Sequence, residues 1–442
     1  MPFGMSKKML LSVTAWAAVC AVGLTFVIRA CSPSGRAESA ADGGVPEGGI
    51  AARCVREPNA VPLADGFARG DALLGEAAAT RDGYAIGLVR PTGKERRASI
   101  AVVKGDLSGG ATFVDLGQAA GDLPPPRPFV HRGELFAASY ARAGDSRSLV
   151  LSRIQGTAAA PFAEMAQERD ESLAFDVVTS PEGRGIVAWD EDAASGDASV
   201  ERGVIKVATI PNPQSLEKNV AGAIVSASGA DVERPHGIAR PGGGFWLGWI
   251  ARRRDPRGEN DPKGLEGPGE DRAFAWVEIA RIDDAGKRVG EVRRVTSDAG
   301  HVTAFDWLAA PDGKVELFVR DDGETTQVGD GGRILRVAVR DDGVQPSQAL
   351  VTAGVGQGDP APLGDPGGRW LFYTDVAEHA QAVFLDGSAD LAAPMAMPAL
   401  DGQSPLSAKA SGPAVLLLAV GASGEGKDQA EARIVRCEAL NR

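Results

Sequence analysis

A short strand, a tight glycine turn and a strongly apolar strand recur along most of this chain, and this repeat restricts its fold more than any other feature. The seven copies read RDGYAIGLV, HRGELFAASY, PEGRGIVAW, PGGGFWLGW, PDGKVELFV, PGGRWLFYT and SGPAVLLLAV. Their turn glycines are Gly83, Gly133, Gly183, Gly243, Gly313, Gly368 and Gly412. A two-residue hairpin turn needs positive φ angles, which glycine adopts without strain. Each copy therefore predicts a β-hairpin.

The spacing of these hairpins predicts a closed ring of small sheets. Successive turn glycines lie 44 to 70 residues apart, near the roughly 40–50 residues of a β-propeller blade, and insertions account for the longer gaps. An innermost strand precedes each turn, a third strand follows each apolar strand, and fourth strands read ATFVDLG, AGAIVSAS, GEVRRVT and SQALVTAG. Four strands in each of seven units predict an all-β, seven-bladed β-propeller over residues 51–442. A β-sandwich or two smaller β domains are the alternatives.

Two cysteines at opposite ends of the repeat region indicate how the ring closes. Cys54 and Cys437 lie in the strand-like segments ARCVRE and RIVRCE. The seventh copy has only three strands, so we expect segment 52–57 to supply its fourth strand, beside the last strand of the chain. Facing side chains on adjacent strands are close enough for a disulfide, and we predict a bond between these two cysteines. Two separate buried thiols are the alternative.

The N-terminal residues have the character of an export signal. Lys7 and Lys8 precede an uncharged run at 9–28, whose length matches the roughly 20 residues that span a bilayer as a helix. An uncleaved membrane anchor is one interpretation. The segment IRACS resembles the lipobox of bacterial lipoproteins, although Arg29 departs from that pattern, and the resemblance implies lipidation of Cys31. Simple secretion after cleavage is the third interpretation.

The segment that follows and the overall charge complete the plan of the chain. Residues 32–50 are rich in Ser, Gly, Ala, Pro and Glu, which predicts a flexible linker between the export or anchor segment at 1–31 and the propeller at 51–442. We expect a monomer attached to the membrane through its N-terminal segment, on the periplasmic or outer side of a bacterial cell envelope. With 59 acidic and 47 basic residues the net charge is −12, which disfavours nucleic acid as a partner.

One repeat resembles the box motif of an enzyme family. Residues 180–189 (SPEGRGIVAW) are weakly similar to the Ser-x-Asp-x-Gly-x-x-x-Trp box of sialidase-like repeat propellers, with a glutamate beside the glycine where the box has an earlier aspartate. The resemblance implies a propeller fold, but no catalytic residue carries over. A sialidase-type site needs a tyrosine nucleophile, whereas Tyr84, Tyr140 and Tyr373 lie in or at the end of apolar second strands, where we expect core or edge roles.

The sequence predicts no metal site and no cofactor. His131, His236, His301 and His379 are far apart in the sequence and lack the short spacing of a zinc site. The acidic Asp-Asp-Gly turns lack the alternating aspartates of an EF-hand-type calcium loop. His236 and His301 lie near successive innermost strands and could face a central channel, although a solvated or structural role is the simpler interpretation.

The long loops gather on one face of the predicted ring, because loops between second and third strands emerge beside the connections between blades. They cover residues 90–97, 190–201, 320–330, 421–430 and, longest of all, 252–272. A rigid scaffold usually carries its function on such loops, so we predict the binding face here. The candidate residues of this face are Arg252, Arg253, Arg254, Trp249, His236 and His301.

These observations predict a non-catalytic binding or interaction propeller whose partner is a protein or a glycan. The scaffold is rigid, and the sequence shows no coherent catalytic set. The alternative is a divergent carbohydrate-active enzyme, a glycosidase or a lyase, whose carboxylates converge only in three dimensions. Two carboxylates roughly 5–10 Å apart in a deep channel, with a positioned arginine or tyrosine, would favour the enzyme.

Overall fold

The computed structural model describes the chain from residue 51 onward, with gaps. The described residues are 51–68, 73–119, 123–143, 146–165, 174–192, 203–227, 231–253, 274–310, 313–322, 331–356, 358–365, 368–377, 379–386, 395–396, 403–411, 414–424 and 427–440. The segments predicted as export signal and linker, Cys31 and most of the longest loop lie outside these residues. Within them, no helix is long and apolar enough to cross a membrane.

The regular structure of the described residues is β-strand, arranged as the seven blades of a propeller. The first strand of the chain, β1 (Ala51–Ala68), belongs to the seventh blade. From the innermost strand outward, the first blade contains β2 (Leu73–Ala79), β3 (Gly83–Thr92), β4 (Glu95–Lys104) and β5 (Thr112–Gln118). The second contains β6 (Arg127–His131), β7 (Glu134–Ala143), β8 (Ser146–Gln155) and β9 (Ala158–Met165). The third contains β10 (Phe175–Thr179), β11 (Gly185–Asp192), β12 (Gly203–Thr209) and β14 (Ala223–Ile224).

The remaining blades follow the same order. The fourth contains β15 (Asp231–Ala239), β16 (Phe245–Arg253), β17 (Phe274–Ile282) and β18 (Arg288–Arg294). The fifth contains β19 (Val302–Ala309), β20 (Val315–Asp321), β21 (Gly332–Val339) and β22 (Gln348–Val355). The sixth contains β23 (Ala361–Asp365), β24 (Gly368–Thr374), β25 (Ala380–Phe384) and β26 (Met395–Ala396). The seventh contains β27 (Gln403–Ser411), β28 (Ala414–Gly424), β29 (Lys427–Leu440) and β1.

The core consists of apolar side chains packed between neighbouring blades. Second strands are apolar on both faces, because each blade is covered by another blade on either side. Their largest fully buried side chains include Trp189, Trp249, Trp370, Tyr84 and Phe136. A separate cluster of buried side chains fills each gap between consecutive blades, including the gap between the seventh and the first. The all-β, seven-bladed prediction is confirmed.

The turn glycines serve two different purposes. Five of the predicted turn glycines have φ between 75° and 136°, the left-handed region that glycine enters without strain. They are Gly133, Gly183, Gly243, Gly313 and Gly368. Gly83 does not have a positive φ; there a Cβ would lie 2.0 Å from the carbonyl oxygen of Val103, so the residue is needed for close strand approach. Gly412 lies outside the described residues.

The ring closes as predicted. Strand β1 pairs antiparallel with β29 and forms the outermost strand of the seventh blade. Cys54 stands directly opposite Cys437, and their sulfur atoms form a disulfide bond. The first and last strands of the described chain are therefore joined by both a hydrogen-bonded ladder and a covalent bond.

One strand lies outside the four-strand pattern of the blades. β13 (Glu217–Val220) follows the third strand of blade 3 but pairs in parallel with β9, which makes the second sheet five-stranded. Its residues are mostly exposed and polar, so neither hydrophobic periodicity nor a turn motif marks it as a strand. The structure also supplies the outer strands β9 and β26, which the sequence did not reveal.

Candidate functional site

The innermost strands of blades 2 to 5 each carry a charged residue at the same position of the repeat. These residues are Arg127, Asp176, His236 and Asp306. Each lies opposite the residue that is five positions after the turn glycine of its blade. In the first blade, Glu76 occupies a bulge of β2 between Leu74 and Ala77. Because innermost strands line the central channel of a propeller, the five charges converge there.

The five residues form one chain of ion pairs, which we call the channel network. At its centre, Asp176 forms ion pairs with Nη1 of Arg127, 3.0 Å from Oδ1, and with Nδ1 of His236, 2.7 Å from Oδ2. At the two ends, Nη2 of Arg127 lies 2.5 Å from Oε2 of Glu76, and Nε2 of His236 lies 2.6 Å from Oδ1 of Asp306. The charge therefore alternates along a path that crosses five blades.

Local packing fixes the orientation of the His236 imidazole. The backbone N–H of Gly237 donates to Oδ2 of Asp176 at 2.7 Å, and the indole N–H of Trp307 donates to the carbonyl oxygen of His236 at 2.9 Å. The side chain of Phe305 packs edge-on against the imidazole. Gly248, opposite His236, leaves room for these aromatic rings, because a Cβ there would lie 3.0 Å from each of them.

The network holds His236 in its protonated form. Burial alone would lower the pKa of this imidazole, but the carboxylates of Asp176 and Asp306 raise it to about 10. Burial would likewise raise the pKa of Asp176, and the charges of Arg127 and His236 instead hold it below its ordinary value. Both imidazole nitrogens therefore donate hydrogen bonds at neutral pH, and His236 is not available as a general base.

The channel network is buried at its centre and partly exposed at both ends. The side chain of Asp176 is 1% exposed, whereas those of Glu76 and Asp306 are 37% and 32% exposed. Asp359, two residues before the innermost strand of the sixth blade, is also exposed. The central carboxylate therefore has a structural role, and the outer carboxylates can reach a ligand in the channel.

The pKa of Asp359 is raised. Its side chain keeps contact with solvent, but the surrounding blades remove enough water to raise its pKa. The positive charge of Arg234 opposes this rise, and the negative charges of Asp306 and Glu76 add to it. The site thus contains one carboxyl that binds its proton more tightly than an ordinary aspartate does.

Two residues locate the open end of the site. Arg234 lies two positions before His236 on β15, and Asp359 lies just before the start of β23. Each innermost strand ends at the glycine turn of its blade, and both residues lie near or before the start of such a strand. They are therefore at the end of the channel that is remote from the glycine turns. This is the end at which the sequence analysis placed the binding face.

The residues that the sequence proposed for the binding face lie in different environments. Trp249 is fully buried and donates to Oε2 of Glu278 at 3.1 Å, so it is not an exposed anchor; an apolar second strand is covered on both faces. Arg252 is partly exposed and lies 2.6 Å from Glu233. His301 is stacked on Phe274, while His236 belongs to the channel network.

Two of the segments predicted as long loops are paired strand ends, and the last two candidate arginines lie at or beyond the end of a strand. Arg253 is the last residue of β16 and is in register with Phe274, whereas Arg254 lies outside the described residues. Segment 90–97 is a paired hairpin end rather than a long loop, with Arg90 opposite Arg97. Segment 421–430 is paired in the same way on both sides of two undescribed residues. Polar strand ends resemble loops in sequence, and for this reason the prediction of long loops at 90–97 and 421–430 is wrong.

The sequence analysis missed four of the five network residues, although a signal for them was present. Glu76, Asp176, His236 and Asp306 each lie seven positions before the turn glycine of their blade, and Arg127 lies six positions before its own. Alignment of the repeats on that glycine would have placed all five at one level of the channel. The signs of the charges differ from blade to blade, so no conserved letter draws attention to the position.

The donor set of the site does not suit a metal ion. Asp176 and Asp306 approach opposite nitrogens of one imidazole, so the three side chains do not converge on a common point. Across the described residues, no group of three or more His, Cys, Asp or Glu side chains could hold a metal ion. The site is suited instead to hydrogen bonding and to proton transfer by carboxyl groups.

Comparison with known proteins identifies the architecture. No family model and no curated protein matches the sequence. The polysaccharide lyase Uly1 is similar in structure, with a TM-score of 0.53 and 9% identity over 82% of this chain and 89% of the lyase. The α-L-arabinofuranosidase of Fusarium graminearum gives a TM-score of 0.43 and 11% identity over 70% and 92% of the two chains. The propeller domain of the Trilobed protease from Pyrococcus furiosus gives 0.44 and 11% over 81% and 97%.

At these identities the likeness shows the fold alone. The chain has the seven-bladed propeller architecture, and its structural neighbours include a lyase and a glycosidase built on propellers. The same scaffold supports different chemistries, so function has to be argued from the channel residues.

Proposed function

We propose that this protein is a non-catalytic binding propeller of a bacterial cell envelope, and that it binds a glycan at the end of the channel remote from the glycine turns. The observation that carries the proposal is the alternating chain of charges from Glu76 to Asp306, with its outer carboxylates exposed. A rigid ring presents these groups in fixed positions, so a ligand finds them already oriented.

The chemistry of the channel suits hydroxyl groups. A sugar hydroxyl both donates and accepts hydrogen bonds, and closely spaced cations and carboxylates offer a charge-assisted partner for each role. Along the channel network each carboxylate contacts a cation, so the negative charge is largely balanced. A neutral, hydroxyl-rich ligand therefore meets many hydrogen-bonding groups without a strong net field.

The exposed apolar residues favour a glycan over a protein partner at this end. Protein interfaces have an apolar core with aromatic anchors. Large exposed apolar side chains in the described part of the chain are Val55, Leu216, Ile224, Val289 and Val376. None of them lies on an innermost strand.

The binding proposal is tested with the full-length protein in detergent. A glycan array identifies ligands, and calorimetry measures their affinity. We expect Asp306→Asn to weaken binding at least tenfold, because it removes an exposed charge from the channel. Asp115→Asn is the matched control: Asp115 is an exposed carboxylate paired with an arginine on the outer strands of the first blade. Failure to bind any glycan, or equal losses in the two variants, would contradict the proposal.

A second function is supported by the raised pKa of Asp359 beside the channel network. A glycosidase needs one protonated carboxylic acid to protonate the leaving oxygen and one carboxylate to act as nucleophile or to activate water. Asp359, with its raised pKa, suits the first role, and Asp306 or Glu76 the second. Arg127 lies in the same channel network, paired with Glu76.

Release of reducing ends from the glycans that bind tests this second function. An enzyme would lose at least a hundredfold in kcat in the Asp359→Asn variant while still binding its substrate, because the asparagine cannot supply the proton. Binding without any release of reducing ends by the wild type would leave the non-catalytic function standing and exclude hydrolysis of those glycans.

Attachment to the envelope is proposed from the N-terminal sequence. Lys7, Lys8 and the apolar run at 9–28 favour export, with either an uncleaved anchor or a lipid on Cys31 holding the propeller near a membrane. Intact mass and lipid labelling of membrane-purified protein separate the two forms. Recovery of an unmodified, cleaved protein from the soluble fraction would contradict attachment.

A further inference from the structure

An arginine at the open end of the channel has an unusual backbone conformation. Arg234 has φ of 53°, in the left-handed region that non-glycine residues rarely occupy. It also precedes Pro235, and a residue before proline is normally extended. Its conformation is therefore disfavoured for two reasons.

The surrounding groups hold Arg234 in this conformation and leave its guanidinium accessible. Its backbone N–H donates to Oδ2 of Asp190 at 3.4 Å, and Nη1 donates to the carbonyl oxygen of Thr303 at 2.9 Å. The carboxylate of Glu233 lies 3.7 Å from Nε. The side chain is 56% exposed. The guanidinium is thus anchored to the fifth blade through Nη1 while more than half of the side chain remains accessible.

The carboxylates near Arg234 also contact other groups. Glu233 lies 2.6 Å from Arg252, and Asp306 is paired with His236. Asp359 is close enough for the positive charge of Arg234 to oppose the rise of its pKa.

We infer that Arg234 binds an anionic substituent of the ligand, so that the glycan recognised by this propeller is an acidic one. A planar guanidinium binds a carboxylate or a sulfate ester through two parallel hydrogen bonds. A uronic acid carboxylate and a sulfate ester share this chemistry. The inference rests on the proposed function, since it specifies which class of glycan occupies the channel site.

An arginine that is already held in one conformation suits the binding of an anion at this position. A flexible lysine or an arginine on an unstrained strand would lose conformational freedom on binding, whereas Arg234 is already ordered by two hydrogen bonds. Arg252, partly exposed on the adjacent β16, adds positive potential at the same end. The channel network below contributes donors and acceptors for the neighbouring hydroxyls.

The test compares three sets of oligosaccharides of equal length with the full-length protein: uronic acid oligomers, sulfated neutral oligomers and uncharged oligomers. We expect at least one acidic set to bind ten times or more tightly than the uncharged set, with an affinity that falls as salt rises. The arm that binds identifies carboxylate or sulfate as the group. Equal affinity for all three sets would overturn the inference and leave glycan binding intact, whereas no binding to any set would contradict both.

Arg234→Gly is the decisive variant, because glycine adopts the observed φ freely. We expect it to lose at least tenfold in affinity for the acidic glycan and to keep its affinity for uncharged ones. Arg132→Gly is the matched control: Arg132 also has a positive φ, 51°, but lies in the β6–β7 turn at the other end of the channel, where its Nε donates to Gly183. It should bind like wild type.

The unfolding temperatures of both glycine variants should stay within a few degrees of wild type, which shows that any loss of binding does not come from unfolding. Equal losses of acidic-glycan affinity in Arg234→Gly and Arg132→Gly would overturn the inference. Unchanged affinity in Arg234→Gly would do so as well.

Discussion

Two charged networks join neighbouring blades of this propeller and share one plan, a buried carboxylate held between two cations. In the channel network, Asp176 lies between Arg127 and His236. Between blades 5 and 6, Glu316 lies between Arg336 and Arg369, with Nη1 of Arg369 at 3.0 Å. Arg369 also pairs with Asp386 outside this centre, as His236 pairs with Asp306 in the channel. We call the second set the wall network.

The two networks differ in reach and in the identity of one cation. The wall network connects two blades, whereas the channel network connects five. Both cations of the wall network are arginines, which remain charged at all accessible pH values. One cation of the channel network is a histidine, whose charge depends on the carboxylates around it. The cations of the wall network thus keep their charge, whereas one cation of the channel network can lose its charge as pH rises.

The largest effect should follow from removing the central charge of each network. Asp176→Asn leaves Arg127 and His236 without their shared carboxylate in the channel, and we expect a loss of about 3–5 kcal/mol in the free energy of unfolding. Glu316→Gln is the matched change in the wall network. Its loss should be smaller, about 1–3 kcal/mol, because Glu316 is less completely buried than Asp176. Chemical denaturation measures both, and a larger loss in Glu316→Gln would contradict this ranking.

The dependence of stability on pH should separate the two networks next. The folded pKa of His236, about 10, is above its ordinary value of 6.5, so between these values the folded state binds more protons than the unfolded state. Stability from this group is complete below pH 6.5 and is lost as pH rises toward 10, by on the order of a few kcal/mol.

Urea unfolding at several pH values checks this decline. His236→Gln should flatten it across the same window, whereas Glu316→Gln should leave its slope unchanged because His236 and its two carboxylate partners are not part of the wall network. A decline that persists in His236→Gln would assign it to other groups.

The smallest effects should come from the outer carboxylates. Asp306→Asn and Asp386→Asn each remove a partly exposed partner of a cation, and each should cost at most about 1 kcal/mol. Only Asp306→Asn should also lower the pKa of His236, since one of the two carboxylates that raise it is lost. NMR titration of the His236 ring gives that pKa, and an unchanged value in Asp306→Asn would contradict the assigned cause.

The parts of the fold that could be predicted from the sequence depend on local signals. Turn glycines such as Gly133 and Gly243 take φ angles that other residues avoid, so the repeat is visible in a single sequence. The Cys54–Cys437 pair followed from the missing strand of the last blade and from the facing geometry of adjacent strands. Strand β13 could not be predicted, because its pairing depends on a neighbouring blade and its residues carry no periodic pattern.

The candidate site was harder to predict because its members contact one another across blades. The nitrogens of His236 meet residues 60 and 70 positions away, on β10 and β19. Sequence reasoning considered His236 for the channel but had no means to name Asp176 or Asp306 as its partners. The long loops drew attention instead, and Trp249 at the base of one of them turned out to be a core residue.

Closure of the ring has a consequence for how the chain could be cut and rejoined. Ala51 stands opposite Leu440 in the β1–β29 ladder, so the two ends of the described chain lie in the same blade, directly beside each other. A short linker could therefore join them, and new termini could be opened in the exposed glycine turn between β6 and β7. Such a circular permutant would retain the apolar packing between blades while beginning and ending in a different one.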